Sequence, residues 1–336
     1  MDLNKIYEPV QGDLNKVEDK IKEVSRGELD WLSSDFASGL HEASRIQELL
    51  THILASAGKR TRPALVLLAS KFYDYDPGCS IAMAAAIELF HIATLVHDDA
   101  IDNSALRRGR PTINSLWGDN AAILLGDYLF AKSAEMAVST GNRTVAKRLH
   151  QTLMTITPGE LAQAFNAFKL EESRKYYLNR ISSKTASLLS LSTECGAILS
   201  HAPKKAVTAL KDYGFNIGIA FQIVDDILDY IGTTEEMGKP VGSDLREGTI
   251  TLPVLFLLDR YPNENSIYEV VKNRNRRENT ERVKELIRNS PEIIQDCYQM
   301  ANEYSNKAIT KLDALPDKPE KESLTELAYF LVERRR

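Results

Sequence analysis

Two copies of one acidic cluster interrupt otherwise apolar stretches of this chain, and they constrain its fold more than any other feature. The first cluster covers residues 98–102 (DDAID) and the second covers residues 225–229 (DDILD). In a helix, residues three and four apart share a face, so Asp98 and Asp102 point the same way, and the second cluster repeats this pattern. Burying an ionised carboxylate without a partner costs about several kcal/mol, so six such groups facing a protein interior require cations.

The ligand type indicates which cation this is. Oxygen ligands favour hard ions, and Mg²⁺ held by a few carboxylates normally completes its shell with water and substrate phosphates. Asp99 and Asp226 are offset from the shared faces and would bind the metal through water. The alternative is a solvated acidic helix face, which is disfavoured because residues 89–97 and 217–224, just before the clusters, are mainly apolar.

Helical periodicity runs along nearly the whole chain, and glycine and proline mark its breaks, among them Pro158-Gly159. Residues 82–96 and 217–231 are apolar on all sides and too long for strands, which predicts two helices central to a bundle. Residues 263–289 are dense in charged and amide side chains and predict a peripheral hairpin of surface helices. Since no linker divides the chain, we expect one all-α domain over residues 1–336.

Composition excludes several classes of protein. The net charge of −5 argues against nucleic acid as the main partner. Cys79, Cys195 and Cys297 form no CxxC pair, which indicates a reducing compartment without a structural disulfide or zinc site. The first residues lack the basic and apolar blocks of a signal peptide, and no uncharged apolar run approaches the ~20 residues of a membrane span. We therefore expect a soluble, cytoplasmic protein without a transmembrane segment.

Basic runs occur where an anionic substrate would need them. GKRTRP at residues 58–63 is a compact cationic turn, and RRGRPT at residues 107–112 directly follows the first acidic cluster. Arginine binds phosphate oxygens bidentately, and lysine supplies a point charge. Either run alone would be ordinary surface charge, but next to the acidic clusters both predict phosphate binding.

Further polar residues share faces with the carboxylates. His91 lies about two turns before Asp98 on the same stripe, where a satisfied core histidine is the alternative, and Gln222 precedes Asp225 by one turn. The pair Lys184-Thr185 lies among small and apolar residues, and Lys239 lies in a Gly-Lys-Pro turn that could equally be an exposed loop. Carboxylates for Mg²⁺ and cations for phosphate beside an apolar cavity suit a substrate with a diphosphate head and a hydrocarbon tail.

The motifs occur in the order found in trans-type isoprenyl (polyprenyl) diphosphate synthases, and the chain resembles that family over residues 58–253. The motifs are GKRTRP (58–63), ELFHIATLVHDDAID (88–102), RRGRPT (107–112), GDYLF (126–130), GELAQ (159–163), KTASL (184–188), FQIVDDILD (221–229) and GKPVGSDLREG (238–248). The resemblance implies an isoprenoid synthase helical bundle around a central cavity, usually a homodimer, with peripheral helices in residues 262–336.

The resemblance also implies roles for the residues that match. The diphosphate of isopentenyl diphosphate would be bound by Lys59, Arg62, His91 and Arg108. The Mg²⁺ ions would be carried by Asp98, Asp102 and Asp225, with help from Asp99 and Asp229. The diphosphate of the allylic prenyl substrate would be contacted by Arg107, Lys184, Thr185, Gln222 and Lys239. Thr249 stands where a second lysine is more usual in the family, so it is left outside the site and weaker allylic contacts are expected.

The implied reaction is ionisation, condensation and elimination. Mg²⁺ and the cations offset charge on the departing allylic diphosphate, and the charge or dipoles of Lys184, Thr185 and Gln222 lie near the allylic cation. The double bond of isopentenyl diphosphate attacks that cation, and a proton leaves to the released diphosphate, which lengthens the product by one isoprene unit. Water must be excluded so that it does not quench the cation.

Product length depends on the wall of the tail-binding cavity. The tail should run along the first acidic helix, where each turn of about 5.4 Å is close to one isoprene unit. Ala93 and Thr94 are small at the position below Asp98 where short-chain members carry an aromatic, and Phe90, one turn deeper, could point into the tunnel or away from it. We expect a product of about six to eight units (C30–C40), with geranylgeranyl (C20) diphosphate as the alternative.

Two other classes compete with this interpretation. A class I terpene cyclase would share the bundle, but the resemblance implies a different second metal motif and no Lys59/Arg62 pocket for such an enzyme. A non-catalytic partner subunit that only sets product length would be expected to have lost at least one acidic cluster. Both clusters are intact here.

Overall fold

The structure is a computed structural model of the chain, and it describes residues 2–26, 39–55, 58–169, 173–233, 241–272 and 276–333. The described residues are mostly helical, which confirms the predicted all-α class. The chain folds into two compact units. The N-terminal unit consists of Asp2–Leu149 and Cys195–Ala202, and the C-terminal unit consists of His150–Glu194 and Pro203–Arg336.

The N-terminal unit is built around one long helix, α5. Its helices are α1 (Leu3–Ile6), α2 (Gln11–Arg26), α3 (Gly39–Leu54), α4 (Thr61–Ser70), α5 (Pro77–Ile101), α6 (Ile113–Trp117) and α7 (Asp119–Ser139). A 3-10 turn at Glu8–Val10 precedes α2, and an antiparallel hairpin of β1 (Leu106–Arg107) and β2 (Arg110–Pro111) follows α5. Helices α2, α4 and α7 pack against α5.

Helix α5 is the helix that the apolar run at residues 82–96 predicts. Asp76 caps its first turn by accepting a bond from Cys79 N, and Pro77 occupies the first helical position, where its missing N–H has no intrahelical partner to lose. Among the described helices, α5 alone is long and apolar enough to suit a membrane span, with a mean hydropathy of 1.8 over its best window. Since 78% of that window is buried inside the structure, its apolar surface serves helix packing.

The C-terminal unit is built around α11. Its helices are α8 (Arg143–Asn166), α9 (Arg174–Ile181), α10 (Ser187–Leu199), α11 (Lys204–Ile231), α12 (Ser243–Arg246), α13 (Leu252–Arg260), α14 (Asn265–Val271), α15 (Arg276–Arg288), α16 (Pro291–Lys311) and α17 (Pro319–Glu333). Helix α8 begins in the N-terminal unit, and α10 ends there. A π turn at Ser182–Ala186 joins α9 to α10, and this turn, α16 and α17 pack against α11.

Two predictions about the course of the chain have different outcomes. Helices α14 and α15 form the helical hairpin predicted for residues 263–289, and each buries one face. The break predicted at Pro158-Gly159 is wrong, because α8 continues through Pro158. A proline inside a helix removes a backbone hydrogen bond and costs ~3 kcal/mol or more, so other contacts must compensate. One of them is the ion pair between Glu160 and Lys184 of the π turn, at 2.9 Å.

Candidate active site

The first acidic cluster lies at the C-terminal end of α5. Asp98 is half-buried, and Asp102 is the exposed C-cap residue, whose N–H donates to Asp98 O at 2.8 Å. The C-terminal end of a helix carries partial negative charge from its carbonyl groups, so carboxylates there are unfavourable without a cation. The end of α5 is therefore suited to a hard divalent cation.

Asp99, between these two residues in sequence, points into the protein. Its side chain is 5% exposed and pairs with Arg107 of β1, with an Nη2–Oδ1 distance of 2.7 Å. Burial raises the pKa of the Asp99 carboxyl, and the Arg107 guanidinium opposes that rise. The pair holds Arg107, for which the family resemblance implies a contact with the allylic diphosphate, beside the acidic cluster.

Cationic side chains of the N-terminal unit lie around His91 of α5. Burial lowers the pKa of His91 well below its usual value, and the nearby charges of Arg62 and Arg108 lower it further, with Arg107 and Arg60 contributing after them. The imidazole is therefore neutral at neutral pH. A neutral imidazole carries one N–H that can donate to a phosphate oxygen.

The GKRTRP turn and the hairpin after α5 lie against each other. A Cβ at Gly58 would lie 3.0 Å from Arg108 Nη1, so the turn and the arginine side chain are in close contact at this glycine. Arg108 and Gly109 connect β1 to β2 with φ angles of 52° and 74°, the combination found in type I′ hairpin loops. The adjacent Lys59 is exposed. The structure thus brings the four residues predicted to bind isopentenyl diphosphate into one region of the N-terminal unit.

A chain of hydrogen bonds links four polar side chains of the C-terminal unit. Thr185 Oγ1 donates to Gln222 Oε1 at 2.6 Å, and Gln222 Nε2 donates to Asp226 Oδ1 at 2.8 Å. Tyr177 OH donates to the other oxygen of Asp226 at 2.8 Å. Gly218 makes the approach possible, because a Cβ there would lie 2.5 Å from a backbone atom of the π turn. These bonds fix the orientation of the Gln222 amide.

The aspartates of the second cluster differ in exposure. Asp225 is half-buried, whereas Asp226 and Asp229 are 2% and 1% exposed. Burial, together with the charge of Asp244, raises the pKa of Asp226 to about 7. Asp229 accepts bonds from Ser243 Oγ at 3.3 Å and from the backbone N–H of Asp244 at 3.2 Å. Asp225 is therefore the carboxylate of this cluster that is most accessible to a metal ion.

Of the two lysines predicted to contact the allylic diphosphate, the structure describes Lys184 but not Lys239. Lys184 Nζ donates to Glu160 Oε2 at 2.9 Å, and its side chain is 37% exposed. Lys239 lies outside the described residues. Thr249, where the resemblance leads one to expect a lysine, is half-buried, and its N–H donates to Asp244 O at 2.8 Å.

The proposed chain-length wall lies on α5. Ala93 is fully buried, and Thr94 is half-buried with its hydroxyl donating to His91 O at 2.7 Å. Phe90 is buried and packs edge to face on Phe130 of α7, with ring centroids 5.0 Å apart. The two aromatic rings therefore pack as a pair about two turns before Asp98.

Sequence reasoning missed Arg60 and Tyr177. Arg60 Nη1 donates to Glu88 Oε1 at 2.6 Å, and Glu88 is 4% exposed. A signal for this pair existed, because a glutamate inside an apolar helix requires a cation. Tyr177 had no comparable signal, since its partner Asp226 lies 49 residues away in sequence.

The aspartates of the two clusters are the ligand type that Mg²⁺ prefers, but they do not form a complete set of ligands without a substrate. Among the residues that the structure describes, no group of three or more His, Cys, Asp or Glu side chains could hold a metal ion. Mg²⁺ is commonly bound through one or two carboxylates together with substrate phosphates, which agrees with Asp98 and Asp102 at one helix end. Ligands that are all carboxylate oxygens fit a hard cation and not zinc.

Comparisons with known proteins give one consistent result. A family model described as "Polyprenyl synthetase" matches residues 43–290. The heptaprenyl diphosphate synthase component 2 of Geobacillus stearothermophilus is 36% identical over 334 residues, which cover 99% of each chain. The geranylgeranyl diphosphate synthase of Saccharolobus solfataricus is 36% identical over 303 residues, which cover 87% of this chain and 91% of the relative.

Solved structures agree with these sequence relatives. A polyprenyl synthase from Caulobacter crescentus, complexed with calcium and isoprenyl diphosphate, matches the structure with a TM-score of 0.89 at 34% identity. The match covers 100% of this chain and 98% of that one. The similarity therefore extends over the whole chain.

Proposed function

Because this chain belongs to the polyprenyl synthetase family of prenyltransferases, we propose that it is a Mg²⁺-dependent synthase that adds isopentenyl diphosphate to an allylic prenyl diphosphate. The family and the all-α isoprenoid synthase fold that the motifs indicate are both confirmed. The observation that carries the proposal is in the N-terminal unit, where Arg62 and Arg108 lie near His91 on the helix that ends in Asp98 and Asp102.

The cations of the N-terminal unit bind isopentenyl diphosphate. Arg62 and Arg108 present forked donors to its phosphate oxygens, and Lys59 supplies a point charge. The neutral His91 imidazole donates one hydrogen bond. The three cations offset the charge of the diphosphate, and none of the four groups blocks the double bond of the substrate, which stays free to react.

The two acidic clusters carry Mg²⁺, with Asp98 and Asp102 as ligands in one cluster and Asp225 in the other. Bound Mg²⁺ offsets the charge that develops on the departing allylic diphosphate. Arg107 and Lys184, together with Lys239, supply further positive charge to the same leaving group.

Thr185 and Gln222 act on the allylic cation. The Gln222 amide is oriented by its bond to Asp226, and Thr185 is bonded to its oxygen. Their fixed dipoles stabilise positive charge without reorganising during the reaction. The double bond of isopentenyl diphosphate then attacks the cation, a proton passes to the released diphosphate, and the product is one isoprene unit longer.

We propose an all-trans product of about six to eight units (C30–C40). Ala93 and Thr94 present no aromatic ring below Asp98, which leaves room for a growing tail. Geranylgeranyl diphosphate (C20) is the second candidate, because Phe90 is held by Phe130 and could close the path.

The assembly and location follow from the same proposal. Ile123 and Leu124 of α7 are 47% and 68% exposed, and a second copy of the chain would cover them. The name of the Geobacillus relative, component 2, suggests a different partner as the alternative. The side chains of Cys195 and Cys297 are buried and that of Cys79 is half-buried, and none of the three forms a disulfide, which supports a reducing, cytoplasmic location.

The test is an incubation of the purified protein with Mg²⁺, isopentenyl diphosphate and farnesyl diphosphate, with product lengths measured by mass spectrometry after dephosphorylation. We expect a ladder that ends at about six to eight units, and a ladder that stops at about four would favour the C20 candidate. An Asp98→Asn variant serves as the control and should lose at least a hundredfold in rate. Absence of elongation with any allylic primer would contradict the proposal and favour a subunit that needs a partner.

A further inference from the structure

Arg60 lies between residues that bind diphosphate, yet its own side chain points into the N-terminal unit. It is 12% exposed, and it bonds to Glu18 of α2 and to Glu88 of α5. The distance from Nη1 to Glu88 Oε1 is 2.6 Å, and that from Nη2 to Glu18 Oε2 is 3.2 Å. Since both ends of the fork are occupied by carboxylates, Arg60 is not available to bind substrate.

The backbone of Arg60 is as unusual as its side chain. Its φ angle is 49°, in the left-handed region, and it is the N-cap of α4 without a side-chain capping bond. Non-glycine residues adopt this conformation infrequently, so surrounding contacts must hold it. Arg60 O accepts a bond from Ala64 N at 3.0 Å and thereby starts α4. The backbone conformation of Arg60 therefore determines the positions of Lys59, which precedes it in the turn, and of Arg62, which lies in the first turn of α4.

The same fork connects the turn to the helix that carries His91. Glu88 precedes His91 by three residues on α5, so both side chains lie on one face of that helix. A planar guanidinium has a rigid fork, and two bonds to separate helices fix it in position and in orientation.

We propose that Arg60, held by Glu18 and Glu88, is a positioning residue that sets Lys59 and Arg62 of the turn against His91 for the diphosphate of isopentenyl diphosphate. This inference rests on the proposed function, because it specifies how the proposed pocket is built. It concerns one substrate only, since the allylic diphosphate is assigned to other residues.

The test combines direct binding with steady-state kinetics on the full chain. Arg60→Lys keeps the charge but loses the fork, and Glu88→Gln keeps the shape but loses the charge. We expect each variant to bind isopentenyl diphosphate about tenfold more weakly by calorimetry and to raise its KM to the same extent, a change typical of losing one charge-assisted contact. The KM for farnesyl diphosphate should stay within about twofold of that of the wild type.

Helix α4 offers a matched control at its other end. Lys71, the C-cap of α4, pairs with Asp13 of α2 at 3.2 Å, so Asp13→Asn removes an ion pair between the same two helices. This variant should lower Tm and leave both KM values unchanged. If Glu88→Gln does not fold, Glu18→Gln replaces it, because that side chain is 30% exposed and its loss is milder.

Three outcomes would overturn the inference. Unchanged affinity for isopentenyl diphosphate in a folded Arg60→Lys protein would show that the fork does not position the turn. A parallel rise of both KM values, matched by Asp13→Asn, would indicate a role in stability alone. A wild-type protein that binds no isopentenyl diphosphate would refute the proposed function and the inference with it.

Discussion

At the scale of single residues, each acidic cluster contains buried carboxylates and others that are half-buried or exposed. Asp99 is tied to Arg107, and Asp226 is tied to Tyr177 and Gln222. The partners satisfy the buried oxygens, which would otherwise be costly to desolvate. The inward aspartates therefore orient polar neighbours, while the more exposed Asp98, Asp102 and Asp225 are the ones that we propose as metal ligands.

Asp226 gives a prediction about pH. Its pKa is raised to about 7 in the folded protein, mainly by burial, and is about 3.9 in an unfolded chain. Between these values the folded state binds more protons than the unfolded state, so this carboxyl lowers the free energy of unfolding as pH rises from about 4 to about 7. Asp226→Asn should remove that decrease, so the difference between variant and wild type should grow from pH 5 to pH 8.

The measurement is denaturant unfolding at several pH values in the presence of EDTA. Asp212 of the same helix offers a control, because its side chain is 43% exposed and pairs with Lys311. Asp212→Asn should follow the pH dependence of the wild type. A constant difference between Asp226→Asn and wild type across this range would show that Asp226 is already ionised at pH 5.

At the scale of helices and turns, the sequence predicts what depends on local pattern and fails where distant contacts decide. Helices α5 and α11 could be predicted because their apolar runs leave no other structure possible, and the acidic clusters could be placed on them by spacing. The passage of α8 through Pro158 could not be predicted, because it depends on contacts with distant residues, of which the ion pair of Glu160 with Lys184 is one, and not on the local preference. The bond between Arg60 and Glu18 spans 42 residues, which no local pattern encodes.

Packing between α5 and α7 gives a prediction about product length. Phe90 and Phe130 contact each other edge to face, so a smaller side chain at either position should open space on the path that we propose for the prenyl tail. Phe90→Leu and Phe130→Leu should each lengthen the final product by about one unit, and Ala93→Tyr should shorten it by about two.

Mass spectrometry of the product lengths tests the prediction for these three positions, with Phe72→Leu as the control. Phe72 is a buried phenylalanine of the same unit that follows α4, so its replacement should leave product length unchanged. Unaltered lengths in all the α5 and α7 variants would show that the tail does not pass this wall.

At the scale of the whole molecule, the exposed apolar side chains indicate association. Ile101, Leu116 and Leu124 of the N-terminal unit are each about half exposed or more. A large apolar surface on a monomer marks an interaction site, and self-association of identical copies is the commonest solution. We propose that a second copy of the chain covers these side chains, and a separate component is the alternative.

A mass measurement tests this proposal. The wild type should elute at twice its chain mass of 37.6 kDa in light-scattering chromatography, and Leu124→Arg should elute as a monomer with reduced activity. Tyr261→Arg is the control, because Tyr261 is 48% exposed but lies in the C-terminal unit after α13. A wild-type monomer that becomes active only with a second protein would refute the homodimer.

The interleaving of the two units along the chain has a consequence for synthesis on the ribosome. The N-terminal unit is completed by Cys195–Ala202, where Ser200 O accepts a bond from Asp74 N at 3.0 Å. Gly196 lies so close to α4 that a Cβ there would be 2.3 Å from Val66 O. A nascent chain that has emerged only to residue 149 therefore lacks part of the core of its first unit. Translation must proceed past residue 202 before that unit can close, and by then residues 150–194 of the C-terminal unit have also been synthesised.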